Sequence, residues 1–89
     1  MNTFYLKVIA CDRVFFEGKC AQVVLPLFDG QKAIQAHHEN MVFAVEVGEI
    51  VIQKEDGTTI TGVTGTGFAQ IINNRATVIV DTCEYPEEI

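Results

Sequence analysis

Every apolar run in this chain is short, and the clearest of them repeat with a period of two, which is the pattern of half-buried strands rather than of helices. Residues 4–10 set Phe4, Leu6, Val8 and Ala10 on one face against Tyr5, Lys7 and Ile9 on the other, with Lys7 marking the wetter side. Cys11-Asp12-Arg13 breaks that pattern, and Val14-Phe15-Phe16-Glu17-Gly18 reads as a short apolar strand ended by glycine. Its two adjacent phenylalanines cannot both face the core from one regular strand, so one packs inward and the other covers an edge or a partner. Residues 19–26 align Ala21, Val23 and Leu25, and Pro26 confines the end of that strand to an edge or a turn. Further short strands are expected at Ala33-Ile34, 41–47, 49–54, 59–63, 68–72 and 75–81, the last with Ala76, Val78 and Val80 on a shared face.

Turn chemistry separates these pieces. Glu55-Asp56-Gly57-Thr58 carries the strongest hairpin signal and reads as a tight two-residue turn, because Asp-Gly accepts left-handed backbone readily. Asn73-Asn74 reads as a second tight turn, and Asp29-Gly30 as another. The stretch from Asp29 to Ile52 is central: Gly30 and Gly48 bracket it as suppliers of positive φ, and both histidines fall inside it. The polar run His37-His38-Glu39-Asn40 reads as an exposed loop between apolar strands, placed for contact with a partner. Gly65 and Gly67 in TGTGF mark a bulge or a close backbone approach. As a phosphate loop TGTGF fails, since no lysine follows and no helix pattern begins there. Glu84-Tyr85-Pro86-Glu87-Glu88-Ile89 is acidic, with proline placed as at the first turn of a helix. About eight to ten short strands must bury their apolar faces on one another, which predicts an all-β fold of two packed sheets or a flattened barrel.

At 89 residues the chain is one domain with a modest core. A net charge of −6, with six Lys and Arg scattered singly, opposes nucleic-acid binding. The apolar runs are too short to cross a bilayer, so no direct membrane insertion is expected. The first residues lack a secretory pattern and read as cytoplasmic. Cys11, Cys20 and Cys83 are odd in number and widely spaced, which argues for reduced thiols. They lack the paired spacing of a zinc site, and His37 and His38, adjacent on an extended chain, point to opposite faces. Neither a metal, a cofactor nor a catalytic residue is expected.

Taken in order, DRVFFEG at 12–18, VVLPLFDG at 23–30, the histidine at His38, and NNRATVIVDT at 73–82 followed by PEEI resemble the epsilon subunit of F-type ATP synthases over nearly the whole chain. That resemblance implies a ten-stranded β-sandwich over residues 1–84, and a short acidic tail at 85–89 where the family's helical hairpin would begin. It implies a non-catalytic rotor subunit at the cytoplasmic face of the cell membrane, joining the gamma subunit to the membrane c-ring in proton-driven ATP synthesis. On this reading Asp29, Gly30 and Gln31 form the loop facing the c-ring, and His38, Met41, Val42 and Phe43 belong to the surface facing gamma. Asp29 equally well serves only its Asp-Gly turn. Without the helical hairpin the chain is expected neither to brake ATP hydrolysis nor to bind ATP. The family pattern near the histidine is altered: Ala33 replaces a glycine, Ala36-His37 a proline-glycine pair, and Asn40 a proline. An apolar patch shaped for gamma is expected to allow weak self-association of the isolated domain. The alternative reading is a free-standing β-sandwich adaptor.

Overall fold

The alternation in residues 4–10 becomes the first strand of a sheet with one buried face. In the computed structural model, which describes residues 2–88, β1 spans Phe4–Ala10, β2 Arg13–Leu27, β3 Gly30–Gln35 and β4 Met41–Val45. Then come β5 Gly48–Lys54, β6 Thr59–Thr64, β7 Gly67–Ile72, β8 Arg75–Val80 and β9 Cys83–Glu84, with a 3-10 turn at Pro86–Glu88. The strands are hydrogen-bonded in the order β4-β7-β8-β1-β2-β5-β6-β9, and β3 lies on β2. Among the described residues only the β1–β8 pair is parallel. The result is the all-β sandwich expected, packed around Leu6, Val8, Val23, Leu25, Ile50, Ile52 and Val78, each almost wholly removed from solvent. Side chains of this size contribute about 1.5–3 kcal/mol apiece when buried.

The longest strand corrects one expectation and explains how the layers join. Gly18 does not end a strand; it lies within β2, opposite Leu6, and the chain runs on to Leu27. Fifteen residues fully extended would reach roughly 50 Å, yet the longest dimension of the molecule is 33 Å. β2 must therefore bend, and its pairing slips between Cys20 and Gln22. Up to Cys20 it pairs with β1, from Cys20 on with β5 and from Gln22 on with β3, so one strand belongs to both layers. A second slip, opposite Val8 and Ile9, resolves the doubled phenylalanine. Val8 pairs with Phe16 and Ile9 with Val14, which leaves Phe15 as the extra residue. Phe15 turns into the core, and Phe16 packs half-buried against it.

Gly48 is needed for room, not for a positive φ. A methyl group there would lie 2.8 Å from the Pro26 Cβ. The strands on either side of Gly48 are not neighbours: β4 pairs with β7, while β5 pairs with β2 and β6. Pro26 itself is buried within the β2–β3 ladder, at a point where the β5 ladder, which ends at Val24, no longer asks for its missing N–H. Its carbonyl accepts the Glu46 amide at 2.9 Å. Gly65 and Gly67 are close approaches, as their spacing implied. A methyl at Gly67 would fall 1.9 Å from the Ile79 carbonyl oxygen, and one at Gly65 1.8 Å from an Asp81 carboxylate oxygen.

The hairpin turns at Asp56-Gly57 and Asn73-Asn74 form where expected, but the first is longer than two residues. The Gly57 amide donates to the Lys54 carbonyl at 3.0 Å and the Lys54 amide to the Thr58 carbonyl at 2.8 Å, closing a three-residue loop with Gly57 at φ +91°. The acidic tail does not open an α-helix within the described residues. Cys83–Glu84 pairs with β6, Tyr85 stacks on Phe15 with ring centroids 4.7 Å apart, and a 3-10 turn follows. Arg13 holds this turn, donating to Glu88 at 2.6 and 3.2 Å and to the Cys83 carbonyl at 3.0 Å. Ile89, the last residue of that tail, lies outside the described residues.

Candidate functional site

Strand pairing assembles the main surface feature from residues far apart in the chain. On the outward face of β4, β7, β8, β1 and β2, Ala44 pairs with Phe68, Phe68 with Ile79, Ile79 with Ile9, and Ile9 with Val14. These five side chains make one apolar row across five strands. Phe68, Ile79 and Val14 are 45%, 39% and 49% exposed, so water covers what a core would normally hide. The next row, Val42-Gln70-Thr77-Lys7-Glu17, is mixed, and the third, Ile72-Arg75-Tyr5-Lys19, is largely polar. Scattered apolar side chains on a surface carry little meaning, whereas a contiguous row does.

A second feature caps the β2–β3 hairpin. Phe28 is 94% exposed at its tip, followed by Asp29 and Gly30, the latter at φ +136°. Asp29, Gly30 and Gln31 are all exposed there, so the sequence-derived loop forms one accessible projection. Phe28 escaped the sequence reading, which put the turn at Asp29-Gly30; Gly30 already pairs with Leu27 as the first residue of β3, so the turn is Phe28-Asp29, where no sheet face can bury the ring.

The four residues of the other expected surface divide between inside and outside. Val42 is 65% exposed and lies beside the apolar row. Met41 and Phe43 face the other way, half-buried against the core, and the Lys32 ammonium lies 6.0 Å from the Phe43 ring centroid. His38 is half-buried in the loop between β3 and β4, its Nδ1 donating to the Glu39 carbonyl at 2.8 Å. That loop is tied down by the Asn73-Asn74 turn. Asn74 Oδ1 accepts the His37 amide at 2.6 Å, and Asn40 Oδ1 accepts the Asn73 amide at 2.9 Å. His37 takes φ +64°, so the loop is a specific left-handed turn.

Burial pushes the Cys20 thiol up to about 12 and the Cys83 thiol up to about 11, away from the thiolate that a nucleophile or metal ligand needs. Cys11 is exposed. Among the described residues no three of His, Cys, Asp or Glu converge on one point, and no helix is long and apolar enough to cross a membrane. Two open grooves indent the surface. One, of about 230 Å³, is lined by Gln70, Ile72, Asn73, Arg75 and Thr77. The other is polar, and its Gln35 amide is already spent on Gln22 at 2.7 Å.

Residues 3–86 match the family model described as ATP synthase, Delta/Epsilon chain, beta-sandwich domain. An ATP synthase epsilon chain of Ruminiclostridium cellulolyticum is 40% identical over 89 residues, covering 100% of this chain and 66% of that one. That of Caldicellulosiruptor bescii is 35% identical, covering 100% and 64%. This chain therefore spans slightly less than two thirds of the length of these relatives. Among solved structures, a chain of the Euglena gracilis mitochondrial ATP synthase (OSCP/F1/c-ring) superposes with a TM-score of 0.92 at 20% identity, covering 100% of this chain and 57% of that chain. One from the Tetrahymena thermophila mitochondrial ATP synthase central stalk and c-ring gives 0.78 at 11% identity, covering 94% and 67%. At these identities the structural likeness speaks for the fold.

Proposed function

The chain belongs to the delta/epsilon β-sandwich family of ATP synthase chains, and from that premise we propose that it is a non-catalytic piece of the rotor. In this role the β-sandwich of residues 1–84, with its acidic tail, turns with the central stalk, one broad face against the gamma subunit and one end on the c-ring, at the membrane surface and without entering the membrane. Solved structures of similar fold come from a mitochondrial OSCP/F1/c-ring complex and from a central-stalk and c-ring complex, which supports the assignment.

The observation that carries it is the row Ala44-Phe68-Ile79-Ile9-Val14. A permanent partner removes such a row from water at about 25 cal/mol per Å² of apolar area, and obligate interfaces are large and apolar in this way. Val42 extends the footprint toward the loop that holds His38. Met41 and Phe43, turned toward the core, act by holding β4 in place beneath it. The hairpin tip serves the c-ring side: Asp29, Gly30 and Gln31 form the projection, and Phe28 adds an aromatic side chain that costs little entropy to order on contact.

The test is binding of the chain to the gamma subunit of its own organism. Ile79→Asp and Phe68→Asp place charge in the row without touching the core and are expected to abolish stable binding with folding intact by circular dichroism. Phe28→Ser is expected to leave gamma binding unchanged while weakening attachment of the assembled stalk to the c-ring. A folded wild-type chain that fails to bind gamma sinks the reading.

A further inference from the structure

Below the apolar row, the outer face changes sign. It carries Lys7, Lys19 and Arg75, three of the six Lys and Arg in a chain of net charge −6, against the single carboxylate of Glu17. Arg75 is the one held in a fixed position. Its guanidinium carbon lies 4.6 Å from the centroid of the Tyr5 ring on the neighbouring strand. The Tyr5 hydroxyl in turn donates to Glu17 on β2, which orients the ring from its far end. Glu17 stands two strands from Arg75 with β1 between them, and among the described residues the two form no ion pair. Among the described residues the ion pair present is Arg13 with Glu88, and the Arg75 guanidinium has no hydrogen bond.

Arg75 lines the groove of about 230 Å³ with Gln70, Ile72, Asn73 and Thr77. A stacked guanidinium is pre-organised, and its planar fork matches carboxylate and phosphate geometry, of which the side chains of a protein partner supply the carboxylate. The groove is too open to enclose a small free ligand, which needs most of its surface buried. It does lie within one protein footprint: Arg75 and Ile79 are four residues apart on β8, roughly 13 Å, and an interface of ordinary size covers about 800 Å² on each side.

We propose that Arg75, stacked on Tyr5, receives a carboxylate side chain of the partner protein seated on the apolar row. This rests on the rotor reading, with gamma as that partner, and adds to it a charged position that sets the angle at which the partner lies. The apolar row alone would permit sliding along its length; one buried-edge charge pair fixes the register.

Calorimetric titration with gamma tests it. Arg75→Glu should weaken binding by about tenfold or more, a loss of the size expected when a paired interfacial charge is reversed. Arg75→Gln should weaken it less, and Arg75→Lys, which keeps charge but loses the fork, should fall between Arg75→Gln and wild type. Raised salt should lower the wild-type affinity more than that of Arg75→Gln. Tyr5→Leu, with the charge kept and the stack removed, should weaken binding measurably. Arg75→Glu binding within about twofold of wild type, while Ile79→Asp abolishes binding, overturns this inference and leaves the rotor reading in place. Failure of the wild-type chain to bind overturns both.

Discussion

Two hairpin turns of similar size do different work in this molecule. The β5–β6 turn satisfies itself: the Asp56 carboxylate accepts the Thr58 amide at 2.9 Å and the Thr58 hydroxyl at 2.6 Å, and Gly57 supplies the left-handed step. The β7–β8 turn has Asn73 and Asn74 at φ +50° and +64°, and it reaches outward. Asn74 accepts the His37 amide and donates to the Thr3 carbonyl at 3.0 Å, while Asn73 donates its amide to Asn40. Glycine is the usual second residue of such a turn. Asparagine stands there because its side chain clamps two other segments, so the backbone strain of one turn holds three pieces of chain together. A turn can thus be local in geometry and long-range in consequence.

Substitutions separate the two kinds of turn. Asn74→Ala has the largest expected effect, about 3 kcal/mol, from two hydrogen bonds at about 1 kcal/mol each and about 1 kcal/mol of left-handed strain. Urea unfolding measures it, and hydrogen exchange at the His37 amide should speed up together with the loss. Asn74→Gly keeps the turn but drops the clamp, at about 2 kcal/mol. If this variant proved as stable as wild type, the distinction between the turns would disappear. Asn40→Ala should cost about 1 kcal/mol and fall short of additivity with Asn74→Ala, because both support one loop. Gly57→Ala should cost about 1 kcal/mol, with no change in exchange outside the hairpin.

Asp56→Ala is the smallest perturbation and has a pH signature. The Thr58 hydroxyl, and then its amide, hold the Asp56 carboxyl below the usual carboxylate range. Its folded-state value being depressed, its contribution is present above the ordinary carboxylate range and lost as pH falls through the folded value. The gap in melting temperature between Asp56→Ala and wild type should therefore be present at neutral pH and close in acid.

The same contrast explains what was legible beforehand. Side-chain alternation and turn dipeptides act over a few residues, so β1, the buried face of Ala76, Val78 and Val80, and the positions of both hairpins could be read directly. Gly18 misled because a glycine inside a strand and one ending it look alike without the partner strand. Gly48 misled because its constraint is Pro26, twenty-two positions away, rather than its own φ. Pairing, not periodicity, turned Val42 outward beside Phe68 and Ile79, and Phe43 inward under Lys32. The apolar row joins residues 9, 14, 44, 68 and 79, a set that no window of sequence contains.

The bend in β2 has a mechanical meaning. One end of that strand, at Val14, closes the apolar row, and the other leads at Leu27 into the exposed hairpin tip. The two surfaces are thus ends of one covalent path, laced on its edges by β1, β3 and β5. A strand shared in this way ties the two surfaces together through backbone bonds and ladder hydrogen bonds as well as through side-chain packing. The one break in that lacing on the β5 side is the slip between Cys20 and Gln22.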